Sequence, residues 1–144
     1  MNTPSYTLNE AMEIAMLAAH SRSVVCLEGS PGIGKSSIVE MIAGALELPL
    51  HVINLPNHEC TDLTGLPWYD RDTHQTRFAP PAMLPTRPAG VCLDEITAAD
   101  TATKKAAQRL ILERRIGDYP LPEGSVLTCA GNLAAHRCGA TAVN

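Results

Sequence analysis

The sequence predicts an α/β fold, a three-layer sandwich in which a mostly parallel sheet carries helices on both faces. Two observations predict it. Short apolar, β-branched runs alternate with segments of helical periodicity, the pattern of β-α-β units. A glycine-rich turn, residues 29–34, also separates the first such run from the helix after it.

The elements follow in order. Thr7-x-x-Glu10 has capping-box spacing and opens a helix that ends near His20-Ser21. Val24 to Leu27 reads as a buried strand. From Lys35 to Glu47, apolar residues at Ile38, Met41, Ile42 and Ala45 repeat at helical spacing, and Pro49 closes the segment. Leu50 to Asn54 is a second strand. Residues 55–90 read as a proline-rich irregular stretch, with Trp68-Tyr69 and Thr76-Arg77-Phe78 spaced for a small hairpin. Val91 to Asp94 is a third strand. Thr97-x-x-Asp100 reads as the cap of a helix with Ala99, Ala102, Ala106 and Leu110 on one stripe, running to about Arg115. Val126 to Ala130 is a fourth strand, ending at Gly131-Asn132, and no fifth is visible in 133–144.

Length and composition bound the function. The chain has 144 residues, 45% of them apolar and 18% charged, with a mean hydropathy of +0.00. That describes one globular domain, not a disordered tail. No apolar run approaches the roughly 18 residues of a membrane span. The N-terminus shows no secretory leader, so a cytoplasmic protein is expected. The net charge of −4 disfavours a nucleic-acid partner, since phosphate binding draws on a basic field. One Trp, three Tyr and one Phe leave an aliphatic core. Five cysteines, an odd number, suit a reducing compartment. Cys26, Cys92 and Cys129 lie in apolar runs and read as small buried hydrophobes. His58/Cys60 and His136/Cys138 form two His-x-Cys pairs. Four such donors suit tetrahedral zinc, but the spacing is tighter than zinc sites use, so they read as loop residues.

The chemistry centres on the glycine-rich turn. Gly29-Ser30-Pro31-Gly32-Ile33-Gly34-Lys35-Ser36, followed by Ser37, matches GxxxxGK[ST], the phosphate loop of P-loop NTPases. Glycines let backbone N–H groups wrap a phosphate, and the following helix N-terminus favours an anion. Lys35 is the candidate for the β- and γ-phosphates, and Ser36 for Mg²⁺. Asp94 and Glu95 end an apolar strand. Asp94 suits a second Mg²⁺ contact, and Glu95, one residue on, suits a base for water. Asn132, after the fourth strand, offers an amide to the attacking water or a γ-phosphate oxygen.

Taken together, GSPGIGKS, VCLDEI and TCAGN resemble Walker A, Walker B and the sensor 1 strand of AAA+ ATPases, in the MoxR-like or dynein-related group. Residues 62–67, 78–85 and 110–122 are similar to the same group, the last as its helix-to-hairpin segment. The resemblance implies ATP as the nucleotide, hydrolysis with Mg²⁺, and sheet order 5-1-4-3-2. It implies a homo-oligomer, typically a hexameric ring, that remodels or matures protein complexes. A protein client or a partner with a von Willebrand factor A domain is implied too. Residues 55–90 would supply a hairpin insertion and substrate-facing loops. Family members continue past sensor 1 into a fifth strand, an arginine finger and a helical lid, so residues 1–144 read as a truncated nucleotide-binding core. Two other readings stay open: a nucleotide-binding interaction module with little hydrolysis, and a small P-loop kinase.

Overall fold

The computed structural model describes residues 5–132. Helix α1 (Leu8–His20) starts at Thr7, whose hydroxyl accepts from the Glu10 N–H while the Glu10 carboxylate accepts from the Thr7 N–H, so the capping box is complete. Strand β1 (Val25–Gly29) leads through the glycine turn into α2 (Lys35–Ala45). Strand β2 (Leu50–Asn54) is followed by a 3₁₀ turn (Leu55–Asn57) and a short helix α3 (Cys60–Thr64). An antiparallel hairpin comes next, β3 (Leu66–Asp70) and β4 (Gln75–Ala79). Strand β5 (Gly90–Asp94), helix α4 (Thr101–Glu113), a second small hairpin of β6 (Arg115–Ile116) and β7 (Tyr119–Pro120), and strand β8 (Val126–Asn132) complete the described residues.

The main sheet runs β1-β8-β5-β2, with every pairing parallel. This is the predicted order for the first four sheet strands. The sequence shows no fifth strand in 133–144, and those residues lie outside the described ones. Because both faces are covered, the inner strands are apolar without alternation: β5 is buried from Gly90 to Leu93, and β8 from Leu127 to Gly131. On one face Val91, Leu93, Leu127 and Cys129 pack with Ala106, Ala107 and Leu110 of α4. On the other, Leu27, Cys92 and Ala130 pack with Ile38, Val39 and Ile42 of α2 and Ala15 and Ala19 of α1. These are the three layers.

Four local expectations need correction. Helix α2 ends at Ala45, and its buried stripe is Ile38, Val39, Ile42 and Ala43; Met41 is half exposed. The helix is rotated so that the residues one step away face the sheet. Helix α4 is capped by Asp100 alone, whose carboxylate accepts from the N–H groups of Ala102 (2.7 Å) and Thr103 (3.0 Å). Its buried stripe therefore starts at Thr103 and runs through Ala106, Ala107 and Leu110, leaving Ala102 exposed. Residues 55–90 are less irregular than predicted. Glu59 and Asp62 form a reciprocal cap for α3, and Gly65, at φ +83°, ends it where a Cβ would lie 1.9 Å from the Ala79 carbonyl oxygen. Finally, Cys26 is exposed on the edge strand, whereas Cys92 and Cys129 are buried. Desolvation pushes their thiols up to about 11 and about 12.

The two hairpins are joined. The Phe78 N–H donates to Asp118 Oδ2 at 2.8 Å, and Arg77 Nε lies 3.6 Å from the same oxygen. Among the described residues, no helix is long and apolar enough to cross a membrane.

Candidate phosphate-binding site

Order β1-β8-β5 brings three strand ends together at the carboxyl edge of the sheet, where parallel α/β sheets open toward ligands. β1 delivers the glycine turn, β5 delivers Asp94 and Glu95, and β8 delivers Asn132.

The turn is held by backbone demands. Gly32 and Gly34 have φ of +80° and +99°, in the left-handed region that glycine alone adopts freely. A Cβ on Gly29 would sit 2.1 Å from Cδ1 of the exposed Ile33 side chain, which would have to turn aside. Gly34 caps α2 with no side-chain hydrogen bond to its first turn, and an eleven-residue helix presents its N–H groups and dipole there. Lys35, the first helical residue, is half-buried. Its ammonium donates to the carbonyls of Gly29 (2.9 Å) and Ser30 (3.0 Å) and to Asn132 Oδ1 (3.1 Å). All three ammonium donors are thus engaged.

Ser36 and Asp94 line one depression between α2 and the sheet, with Glu40 at its wall. The rest of its lining is apolar (Val39, Leu50, Val52, Cys92 and Ala130), and a hydroxyl with a carboxylate is a donor set that suits a hard divalent cation. The Glu95 N–H donates to Asp94 Oδ1 at 2.8 Å, fixing that carboxylate. Glu95 itself has φ +52°, in the left-handed region, a conformation that Arg22, Glu47, His74 and Arg114 share elsewhere among the described residues. Pro31, Gly32 and Ile33 are exposed at the mouth of the turn, Ser30 is half-buried, and Ser37 is exposed on the first turn of α2.

The structure thus brings Lys35 onto Asn132 and has Ser36 and Asp94 line one depression. Two nearby residues lacked a motif in the sequence. Asn54 ends β2 as the register partner of Asp94; a polar residue closing an apolar strand was the available signal. Thr97, read as a helix cap, instead turns its hydroxyl to the backbone of Asn132. Its partner lies 35 residues on, beyond any local pattern. Among the described residues no group of three or more His, Cys, Asp or Glu side chains is placed to hold a metal. His136 and Cys138 lie outside the described residues.

No curated protein matches the chain. Solved structures share its fold. A Cytophaga hutchinsonii protein classed as a candidate ATPase matches with TM-score 0.65 and 18% identity, over 94% of this chain and 41% of its own. NtrX from Brucella abortus matches with TM-score 0.59 and 12% identity, over 93% of this chain and 32% of that one. The same protein in complex with ADP gives 0.62 and 15%, over 94% and 31%. The chain therefore spans less than half the length of these structures. The family model of the AAA domain, dynein-related subfamily, matches residues 24–129. That span runs from β1 into β8 and takes in the glycine turn and the Asp94-Glu95 pair, so this chain belongs to the dynein-related subfamily of AAA domains.

Proposed function

We propose that the chain is the nucleotide-binding core of an ATPase that binds ATP with Mg²⁺ and hydrolyses the β–γ anhydride. One observation carries the reading: the Lys35 ammonium lies 3.1 Å from Asn132 Oδ1, so the phosphate loop and the end of β8 face one point. Lys35 and the backbone of residues 29–34 hold the phosphates, and Asn132 orients the terminal one or the water. Ser36 and Asp94 would hold Mg²⁺, which supplies charge neutralisation on the phosphate oxygens. Glu95 accepts the proton as water attacks phosphorus, and ADP leaves with the bridging oxygen.

The wider reading is a MoxR-like, chaperone-like machine working as a homo-oligomeric ring, probing a protein client through the hairpin of residues 55–90. Leu66, Trp68 and Tyr69 on that hairpin are each at least 50% exposed, which supports a protein-facing role. A cytoplasmic setting agrees with free thiols at Cys26, Cys60, Cys92 and Cys129. A partner with a von Willebrand factor A domain rests on the family resemblance alone.

Titration with a fluorescent ATP analogue tests the core claim. The parent chain should saturate, and Lys35→Ala should bind at least tenfold more weakly, because hydrogen bonds to charged groups are worth about 1.5–3 kcal/mol. Equal affinity of the two would overturn the assignment.

A further inference from the structure

Strand β8 outlasts its neighbour. The β5–β8 ladder stops at Leu93 opposite Cys129, and the chain swings out of β5 at Glu95. Ala130, Gly131 and Asn132 continue with β1 on one side, where Gly29 is the register partner of Asn132. On the other side the turn after Glu95 takes over. The Ile96 N–H donates to the Ala130 carbonyl at 3.0 Å. One hydroxyl then meets both backbone groups of Asn132: Thr97 Oγ1 accepts from its N–H at 3.3 Å and donates to its C=O at 3.5 Å. A threonine hydroxyl has the donor and the lone pairs for both.

The fit is steric as well. A Cβ on Gly131 would lie 2.9 Å from Thr97 Cγ2, so the threonine methyl lies against a residue with no side chain. Thr97 is itself anchored, its carbonyl accepting from Lys104 Nζ of α4 at 2.9 Å. Strand ends fray where the ladder stops. An amide paired with β1 alone loses part of the fixed aim that its contact with Lys35 needs. Thr97 also stands two residues after Glu95, so the same hydroxyl ties the turn carrying one polar group to the strand carrying the other.

We propose that Thr97 is a positioning residue that holds Asn132 toward Lys35 and thereby sets the site's preference for a nucleoside triphosphate over a diphosphate. The inference rests on the nucleotide-binding reading above. The full chain is titrated, with Mg²⁺, against ADP and against a non-hydrolysable ATP analogue with an imido bridge. Thr97→Val should weaken the triphosphate analogue about three- to tenfold, the value of one or two neutral hydrogen bonds, and leave ADP unchanged. Thr97→Ser keeps the hydroxyl and should keep the parent preference. Asn132→Ala should abolish the preference, and adding Thr97→Val to it should cost nothing more, as expected for groups acting in series. Gly131→Ala reads the contact from the other side, since its methyl displaces Thr97. It should reproduce the selective loss, and it carries the test should Thr97→Val not fold.

Equal loss for both nucleotides, no loss, or failure of Thr97→Ser to restore the preference would overturn the proposal. If Asn132→Ala keeps the preference, the reading of Asn132 falls and Thr97 falls with it. If Asn132→Ala loses it while Thr97→Val and Gly131→Ala do not, Thr97 alone falls.

Discussion

In the proposed mechanism the adjacent carboxylates of Asp94 and Glu95 take two different tasks, and the backbone departs from the strand between them. Asp94 still belongs to the strand and faces the depression with Ser36, whereas Glu95, in the left-handed region, leaves the sheet. Glu95→Gln should therefore leave ATP binding near the parent value and lower turnover by about 10²–10⁴, read by phosphate release in the assembled protein. Asp94→Asn should instead flatten the dependence of nucleotide affinity on Mg²⁺, read by titration with and without the cation. A third residue gives a pH signature. The Thr103 hydroxyl, then the Thr103 and Ala102 amides, hold the Asp100 carboxyl below its ordinary value. The unfolded chain thus takes up this proton first, and the cap's contribution is present at neutral pH and lost as pH falls through the folded value. Asp100→Ala should melt earlier than the parent at pH 7, with the gap closing below about pH 4. The contiguous motif at residues 29–36 was legible because its chemistry is local. Thr97 was not: the capping spacing to Asp100 is a local signal, but the hydroxyl found Asn132 across the sheet.

At the scale of elements, strands were the easiest to read. A run such as Val91-Cys92-Leu93, buried at every position, admits no amphipathic alternative. Helix phase was harder. Met41 and Val39 both fit an apolar stripe on α2, and only the position of the sheet decides that Val39 goes inside. Helix α3 and the β6–β7 hairpin are too short to carry a period of their own. The core makes a quantitative demand: Leu93 is fully buried in the central layer, so Leu93→Ala should cost about 2–5 kcal/mol in urea unfolding. The joint between hairpins makes a different one. Asp118→Ala removes the acceptor of the Phe78 N–H and the partner of Arg77. Amide exchange at Phe78 should accelerate while the main-sheet amides keep their protection, because the joint lies outside both cores.

For the whole molecule, the functional expectation is an assembly property. The described residues contain Lys35 at the phosphate loop, and the ring reading has a neighbouring chain add cationic charge at the same phosphates. Turnover per chain should then rise with protein concentration through the assembly range, followed by steady-state phosphate release alongside light scattering. Constant specific activity from dilute monomer upward would remove the ring from the mechanism. The sheet order also has a consequence in time. β8, the last strand in sequence among the described residues, lies between β1 and β5. Gly29 meets Asn132 across roughly a hundred intervening residues. During synthesis, β1 and β5 emerge without the strand that separates them, and neither can complete its pairing until β8 arrives. Sequence-distant contacts of this kind slow folding, and half-built parallel sheets expose sticky edges meanwhile. The candidate phosphate site, which draws on β1, β5 and β8, is complete only once β8 has entered the sheet, so a ligand that grips it would select molecules in which the central strand has already slotted home.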